Sequence, residues 1–161
     1  MLKKFIASFG GIGLLPGMPG SYASLIATVI YALIWQQTGD AVRFIIAPLT
    51  LVVAVVALVV YKDAAAAFKK TDPRQFVLDE VVGQWIALLC LPLSQPANVP
   101  YLLAVGFFMF RGFDVAKPWP VSLIDQRKDK WGALLDDVAA GIYAVMGSYI
   151  LMLIVESLVT K

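Results

Sequence analysis

Apolar residues run along this chain in long blocks, and charges gather at the ends of those blocks. The clearest block is Phe44 to Tyr61, eighteen residues without a charge that include Pro48 and Thr50. As a helix it reaches about 27 Å, close to the thickness of a bilayer's hydrocarbon core. A second block, Ser21 to Gln37, is apolar from Leu25 to Trp35. A third, Phe76 to Leu93, carries Asp79 and Glu80 near its start. The fourth, Tyr101 to Lys117, carries Arg111 and Asp114 near its end. The fifth, Gly132 to Val159, has Asp136 and Asp137 near its start and a clean apolar stretch from Val138 to Val155. No alternating strand pattern marks a barrel, and helices satisfy their own backbone in lipid. The pattern therefore predicts an all-α polytopic membrane bundle of about five hydrophobic helices, one domain over residues 1–161.

Composition supports lipid as the solvent. Of 161 residues, 60% are hydrophobic and 15% charged, against about 45–50% and 25% in ordinary globular proteins. The mean hydropathy is +0.81. These values exclude a disordered chain and argue against a soluble enzyme. The formal net charge of +2 is too small for a nucleic-acid footprint. A single cysteine forms no intrachain disulfide, and Cys90 reads as a small core residue. With no histidine in the chain, a histidine base, nucleophile or metal ligand is excluded.

The connections Thr38–Arg43 and Ser94–Pro100 are turn-like, and Asp72-Pro73 reads as a turn before the third block. Lys62–Gln75 and Pro118–Trp131 are longer and basic. The first twenty residues mimic a secretory leader, but Gly10, Gly11 and Gly13 break its apolar region. With a cytoplasmic N-terminus, eleven of the thirteen Lys and Arg residues fall on the cytoplasmic side, leaving Arg43 and Lys161 opposite.

This topology brings the charges to one depth. Asp79 and Glu80 begin an outward-going helix, Arg111 and Asp114 end an inward-going one, and Asp136 and Asp137 begin the next outward-going one. Intramembrane charges normally face the bundle interior with a partner. Arg111, Asp114 and Lys117, spaced i, i+3, i+6, are expected to share one helix face until Pro118 stops the helix. Gly83 and Gly141, each four residues after an acid, let helices approach closely there. Clustered carboxylates need a cation, and an oxygen-only donor set favours a hard one, ordinarily Mg²⁺. Arg and Lys beside it make a phosphate-binding environment. The Gly/Pro-rich segment Phe9–Ser24 suits a loop packed near a ligand, with Ser21 or Ser24 capping the following helix or meeting an anion there.

Four segments then carry a resemblance: the leader ending Pro19-Gly20-Ser21; Val77-Leu78-Asp79-Glu80-Val81-Val82-Gly83-Gln84-Trp85-Ile86; Phe110-Arg111-Gly112-Phe113-Asp114-Val115-Ala116-Lys117-Pro118-Trp119-Pro120; and Leu135-Asp136-Asp137-Val138-Ala139-Ala140-Gly141. In this order they resemble the phosphatidylglycerophosphatase A family of bacterial membrane lipid phosphatases. The chain departs from the pattern at Ala23 and at Lys128-Asp129-Lys130-Trp131-Gly132, where glycines are expected. The resemblance implies Mg²⁺-dependent hydrolysis of phosphatidylglycerophosphate to phosphatidylglycerol and phosphate, at the cytoplasmic face of the inner membrane.

Under this reading Asp79, Glu80, Asp136 and Asp137 hold the metal directly or through waters, or one of each adjacent pair positions water or caps its helix, and Asp114 can complete the shell. Arg111 and Lys117 bind phosphate, with Ser21 and Ser24 as further phosphate contacts or caps. The attacking group is either a water or an aspartate; the residues do not distinguish them. Asp63 reads as a helix-end charge. Trp35, Trp85, Trp119, Trp131, Tyr61 and Tyr101 read as interface anchors, and Arg127, Lys128 and Lys130 as contacts to anionic lipid. The alternative is an ion or small-solute transporter, though the outer halves of the spans lack ionisable residues except near their termini. Oligomeric state is left open by the sequence.

Overall fold

A computed structural model describes residues 2–71, 73–93, 98–127 and 129–159. Asp72, Lys128, Lys161 and most of the Ser94–Pro100 connection lie outside the described residues. Among the described residues there is no strand. The α-helices are α1 (Leu2–Ala7), α2 (Pro19–Thr38), α3 (Val42–Phe68), α4 (Leu78–Leu89), α5 (Val99–Ala116), α6 (Val121–Asp125) and α7 (Lys130–Val159). The five expected hydrophobic helices correspond to α2, α3, α4, α5 and α7.

Three stretches are long and apolar enough to cross a membrane: Pro19–Phe68, Val99–Ala116 and Lys130–Leu158. The first is two helices, because a 3₁₀ turn at Gly39–Ala41 divides it and Gly39 turns the chain at φ 56°. Lipid-facing surfaces are evident on α3 and α7, where Leu51, Val59 and Leu153 are 70%, 69% and 65% exposed. Apolar side chains this open belong against hydrocarbon. The chain is a membrane protein by this architecture.

Helix α4 corrects the expected third span. It runs only from Leu78 to Leu89, about 18 Å, too short to cross the roughly 30 Å hydrocarbon core. It is instead the buried centre of the bundle, with α2, α3, α5 and α7 packed around it. Val81, Val82, Trp85, Ala87 and Leu88 are all buried on it. A short helix ending in apolar surroundings needs partners for its last carbonyls. Tyr149 from α7 donates to the Cys90 carbonyl at 2.7 Å, and Arg43 from α3 donates to the Leu91 carbonyl at 3.0 Å. The Trp85 indole N–H donates to the Ala27 carbonyl of α2 at 3.0 Å, so Trp85 is a core residue and not an interface anchor.

Small residues set the closest approach, as expected. A Cβ at Gly83 would lie 2.6 Å from the Asp137 carbonyl and 2.5 Å from the Phe110 ring. One at Gly141 would lie 2.6 Å from the Gly83 carbonyl. Glycine at both positions therefore brings α4 and α7 into backbone contact one turn beyond the acids, at a spacing that no other residue permits.

The leader is not a free loop. The short α1 packs on α3, the Val77 amide donates to the Ala7 carbonyl at 3.2 Å, and exposed Lys3 pairs with Asp63 at 2.8 Å. Helix α2 begins at Pro19, a residue whose fixed φ and missing N–H suit a helix's first turn.

Candidate active site

Four helices and two connections converge on a cavity of about 180 Å³. Helix α4 supplies Asp79 and Glu80 from its first turn, where carboxylates suit the helix dipole. Helix α7 supplies Asp136 and Asp137, α5 supplies Asp114 and Lys117, and α3 supplies Tyr61. Arg74, Asp125 and Arg127 line the cavity from the connections.

Oxygens of Asp79, Glu80 and Asp137 all lie within 4.8 Å of one another. Asp79 and Asp137 are buried, and Glu80 Oε2 and Asp137 Oδ1 are buried without a hydrogen-bond partner. Uncompensated carboxylate oxygens in such a place are strongly unfavourable. Three carboxylates with no nitrogen or sulfur donor fit a hard divalent cation. The charge balance agrees. Six carboxylates line the cavity against Arg74, Lys117 and Arg127, with Arg111 behind them.

The expected shared face of Arg111, Asp114 and Lys117 needs correction. Arg111 and Asp114 do face each other, Nη1 to Oδ2 at 2.6 Å. Lys117 has already left the helix. Pro118 disfavours helical backbone at the residue before it, and Lys117 closes α5 in the left-handed region at φ 42°, its amide donating to the Phe113 carbonyl at 2.8 Å. The side chain is thereby redirected toward α6 and α7. Its Nζ donates to Asp125 Oδ1 at 2.5 Å and to Asp136 Oδ2 at 2.8 Å. Burial alone would lower the Lys117 pKa, but these two carboxylates outweigh it and raise it above the usual lysine range.

Asp136 consequently stands apart from the other expected metal ligands. Its Oδ2 accepts from Lys117 while its Oδ1 accepts from the Asp137 amide at 3.0 Å. Arg111 is not among the residues lining the cavity. It is half-buried beside Glu80 and Asp114, and its buried Nε and Nη1 make no hydrogen bond, so the 2.6 Å approach to Asp114 is an ion pair without hydrogen-bond alignment.

Gly20 lets α2 reach this layer: a Cβ there would strike the Glu80 carboxylate and lie 3.3 Å from Arg111 Nη1. Ser21 and Ser24 do not cap α2. The residue preceding the helix is Met18, with no side-chain cap, and the two serines sit inside the helix because Pro19 starts it earlier. Ser24 is fully buried and donates to the Gly20 carbonyl at 2.9 Å. Neither serine lines the cavity.

Four polar residues of the cavity lie outside the site expected from the sequence. Tyr61 is buried, not an interface anchor, and its hydroxyl donates to the Thr71 carbonyl at 2.5 Å. Asp125 belongs to α6, a one-turn helix inside the long basic connection after α5. Arg74 and Arg127 sit in loops, where no periodicity signals direction. Pairing signs could have found Asp125, one of two acids within a basic stretch.

Comparison with known proteins finds relatives over most of the chain. A sequence model of the phosphatidylglycerophosphatase A family matches residues 5–152. A Bacteroides thetaiotaomicron protein with a provisional phosphatidylinositol-3-phosphatase name is 34% identical over 149 residues, covering 89% of both chains. Phosphatidylglycerophosphatase A of Haemophilus influenzae is 30% identical over 137 residues, covering 84% of this chain and 80% of the relative. Its Escherichia coli counterpart is 31% identical over 137 residues, covering 82% and 73%. No solved structure matches the chain. Matched over nearly its whole length, with the motif acids gathered in one cavity, the chain belongs to the phosphatidylglycerophosphatase A family and is a phosphoric monoester hydrolase.

Proposed function

We propose that the chain hydrolyses phosphatidylglycerophosphate to phosphatidylglycerol and phosphate, with Mg²⁺, at the cytoplasmic face of the bacterial inner membrane, acting as a single membrane-embedded domain. The observation that carries the reading is the Asp79, Glu80 and Asp137 cluster, buried at converging helix ends beside Lys117. Those three acids would hold the cation, with Asp114 next to them on the cavity wall. When bound, the cation supplies positive charge against the phosphoryl oxygens. The protein's own cations do the rest. Lys117, held charged by Asp125 and Asp136, offers its ammonium to the phosphate, and Arg74 and Arg127 present guanidinium groups from the loops. Arg111 acts from behind, fixing Asp114 and countering the charge of Glu80.

A monoester phosphate at this depth keeps its acyl chains in lipid while its head enters the bundle. The lysine and arginine asymmetry supports a cytoplasmic site. Family membership removes the transporter alternative. The Bacteroides relative's name raises phosphatidylinositol 3-phosphate as a second lipid monoester. Phosphate release from each lipid, in matched detergent micelles, tests the assignment. The expected result is a kcat/KM at least tenfold higher for phosphatidylglycerophosphate; no release from it, or preference for the inositol lipid, overturns the proposal.

A further inference from the structure

A second cavity, about 380 Å³ and mostly apolar, opens beside the first between the end of α3 and the start of α7. The two cavities share Tyr61. Its ring packs edge-to-face on Phe76 of the catalytic cavity, with centroids 5.4 Å apart. Its hydroxyl holds the Thr71 carbonyl, and Thr71 lines the apolar groove. Tyr61 is thus the wall between a charged chamber and an apolar one.

The groove's charged rim is positive. Lys62 and Lys130 line it, and among the described residues neither forms an ion pair. Lys130 lies over the exposed Trp131 ring, 5.6 Å from its centre. Among the described residues the one acid on the rim, Asp129, is already engaged. Its carboxylate accepts from the Gly132 amide at 2.7 Å and from Arg127 at 3.1 Å, interactions that hold its pKa below the usual carboxylate range.

Resting on the activity proposed above, we infer that this groove seats the diacylglycerol end of the same substrate molecule, with Lys62 and Lys130 receiving its diester phosphate. Phosphatidylglycerophosphate carries two phosphates: a terminal monoester, which is cleaved, and a diester joining the head to diacylglycerol. A monoester in the carboxylate chamber leaves the diester and the acyl esters to pass Tyr61, where the structure offers Lys62 and Lys130, neither ion-paired among the described residues, and then an apolar surface. Charge complementarity and continuity with the catalytic cavity select the substrate lipid as the occupant. A cytosolic phosphomonoester would have no use for the apolar part.

The test compares the diacyl lipid with its water-soluble deacylated counterpart, which keeps both phosphates. The second compound is read as a substrate or, competitively, as an inhibitor. Two variants are used: Ala65→Trp, which fills the groove from α3, and Lys62→Glu/Lys130→Glu, which reverses its rim and covers the case in which the tryptophan misfolds. Ala65→Trp should lower kcat/KM for the diacyl lipid at least tenfold more than it weakens the deacylated compound. The lysine reversal should weaken both at least tenfold. Equal effects of Ala65→Trp on the two compounds, or no effect of the lysine reversal, overturn the inference. So does rescue of the variants by added anionic phospholipid, which would identify a resident lipid as the occupant. Failure of the wild-type protein to release phosphate from the diacyl lipid is a different result and overturns the activity itself.

Discussion

Gly20→Ala separates the geometry of the site from the stability of the fold. The added methyl group points at the end of a flexible side chain, lying 3.1 Å from Glu80 Cδ and 3.3 Å from Arg111 Nη1 and overlapping Glu80 Oε1. Gly20 lies inside α2, where alanine is favoured over glycine by roughly 0.5–1 kcal/mol. The helix therefore loses nothing, and the melting temperature should hold or rise. The carboxylate, however, must retreat by about 1 Å, and a displacement of that size at a reacting centre can lower the rate by ~100-fold. The expected loss in kcat/KM is ~10- to 100-fold, or about 1.4–2.7 kcal/mol of transition-state stabilisation. Phosphate release from phosphatidylglycerophosphate, a Mg²⁺ titration and a thermal melt on one preparation provide the assay. The half-saturating Mg²⁺ concentration should rise with the loss of rate. A variant with wild-type turnover and unchanged Mg²⁺ response would refute the claim that Glu80's position matters to the chemistry.

Other perturbations divide along the same line. Gly83→Ala, by contrast, pushes against the Asp137 carbonyl and the Phe110 ring, which cannot swing away; it should destabilise by about 1–3 kcal/mol, read as a lower melting temperature. Asp137→Asn should reduce turnover by more than ~100-fold and erase the Mg²⁺-dependent rise in melting temperature. In the wild type that rise should correspond to ~2.7 kcal/mol at a hundredfold excess of Mg²⁺ over its Kd. Lys117→Ala should weaken substrate use more than Mg²⁺ binding, and unchanged kinetics would remove Lys117 from the phosphate site. Because the folded-state pKa of Lys117 is raised, its ion pairs contribute fully below the ordinary lysine value of 10.5 and are lost only as pH climbs through the higher folded value. Urea unfolding between pH 6 and 9 should accordingly show no pH dependence that Lys117→Ala removes.

The helices and the acid pairs were legible in the sequence because lipid imposes long apolar blocks and makes every interrupting charge conspicuous. The convergence of Asp79, Glu80 and Asp137 followed from alternating helix direction alone. The same logic failed where backbone departs from the helix. Lys117 fits the helical spacing of Arg111 and Asp114, yet Pro118 forces the preceding residue out of the helix, and only the folded chain reveals that it turns to Asp125 and Asp136. Helix α4 looked like a span because its apolar run continues through Cys90 and Leu91; the carbonyl partners that let it stop early come from Tyr149 and Arg43, distant in sequence. Ser21 and Ser24 are cap-type residues, but Pro19 starts the helix ahead of both and leaves them inside it. Tyr61, Arg74, Asp125 and Arg127 reach the cavity from a helix end and from connections, where no period predicts which way a side chain points.

The proposed chemistry has a hard cation, held by Asp79, Glu80 and Asp137, assist hydrolysis of a lipid phosphate monoester. Its most direct test is phosphate release from phosphatidylglycerophosphate by the detergent-purified protein, before chelation, after chelation and after Mg²⁺ is restored. Release that stops on chelation and returns with Mg²⁺ is the predicted result. Release that continues undiminished after complete chelation would contradict it.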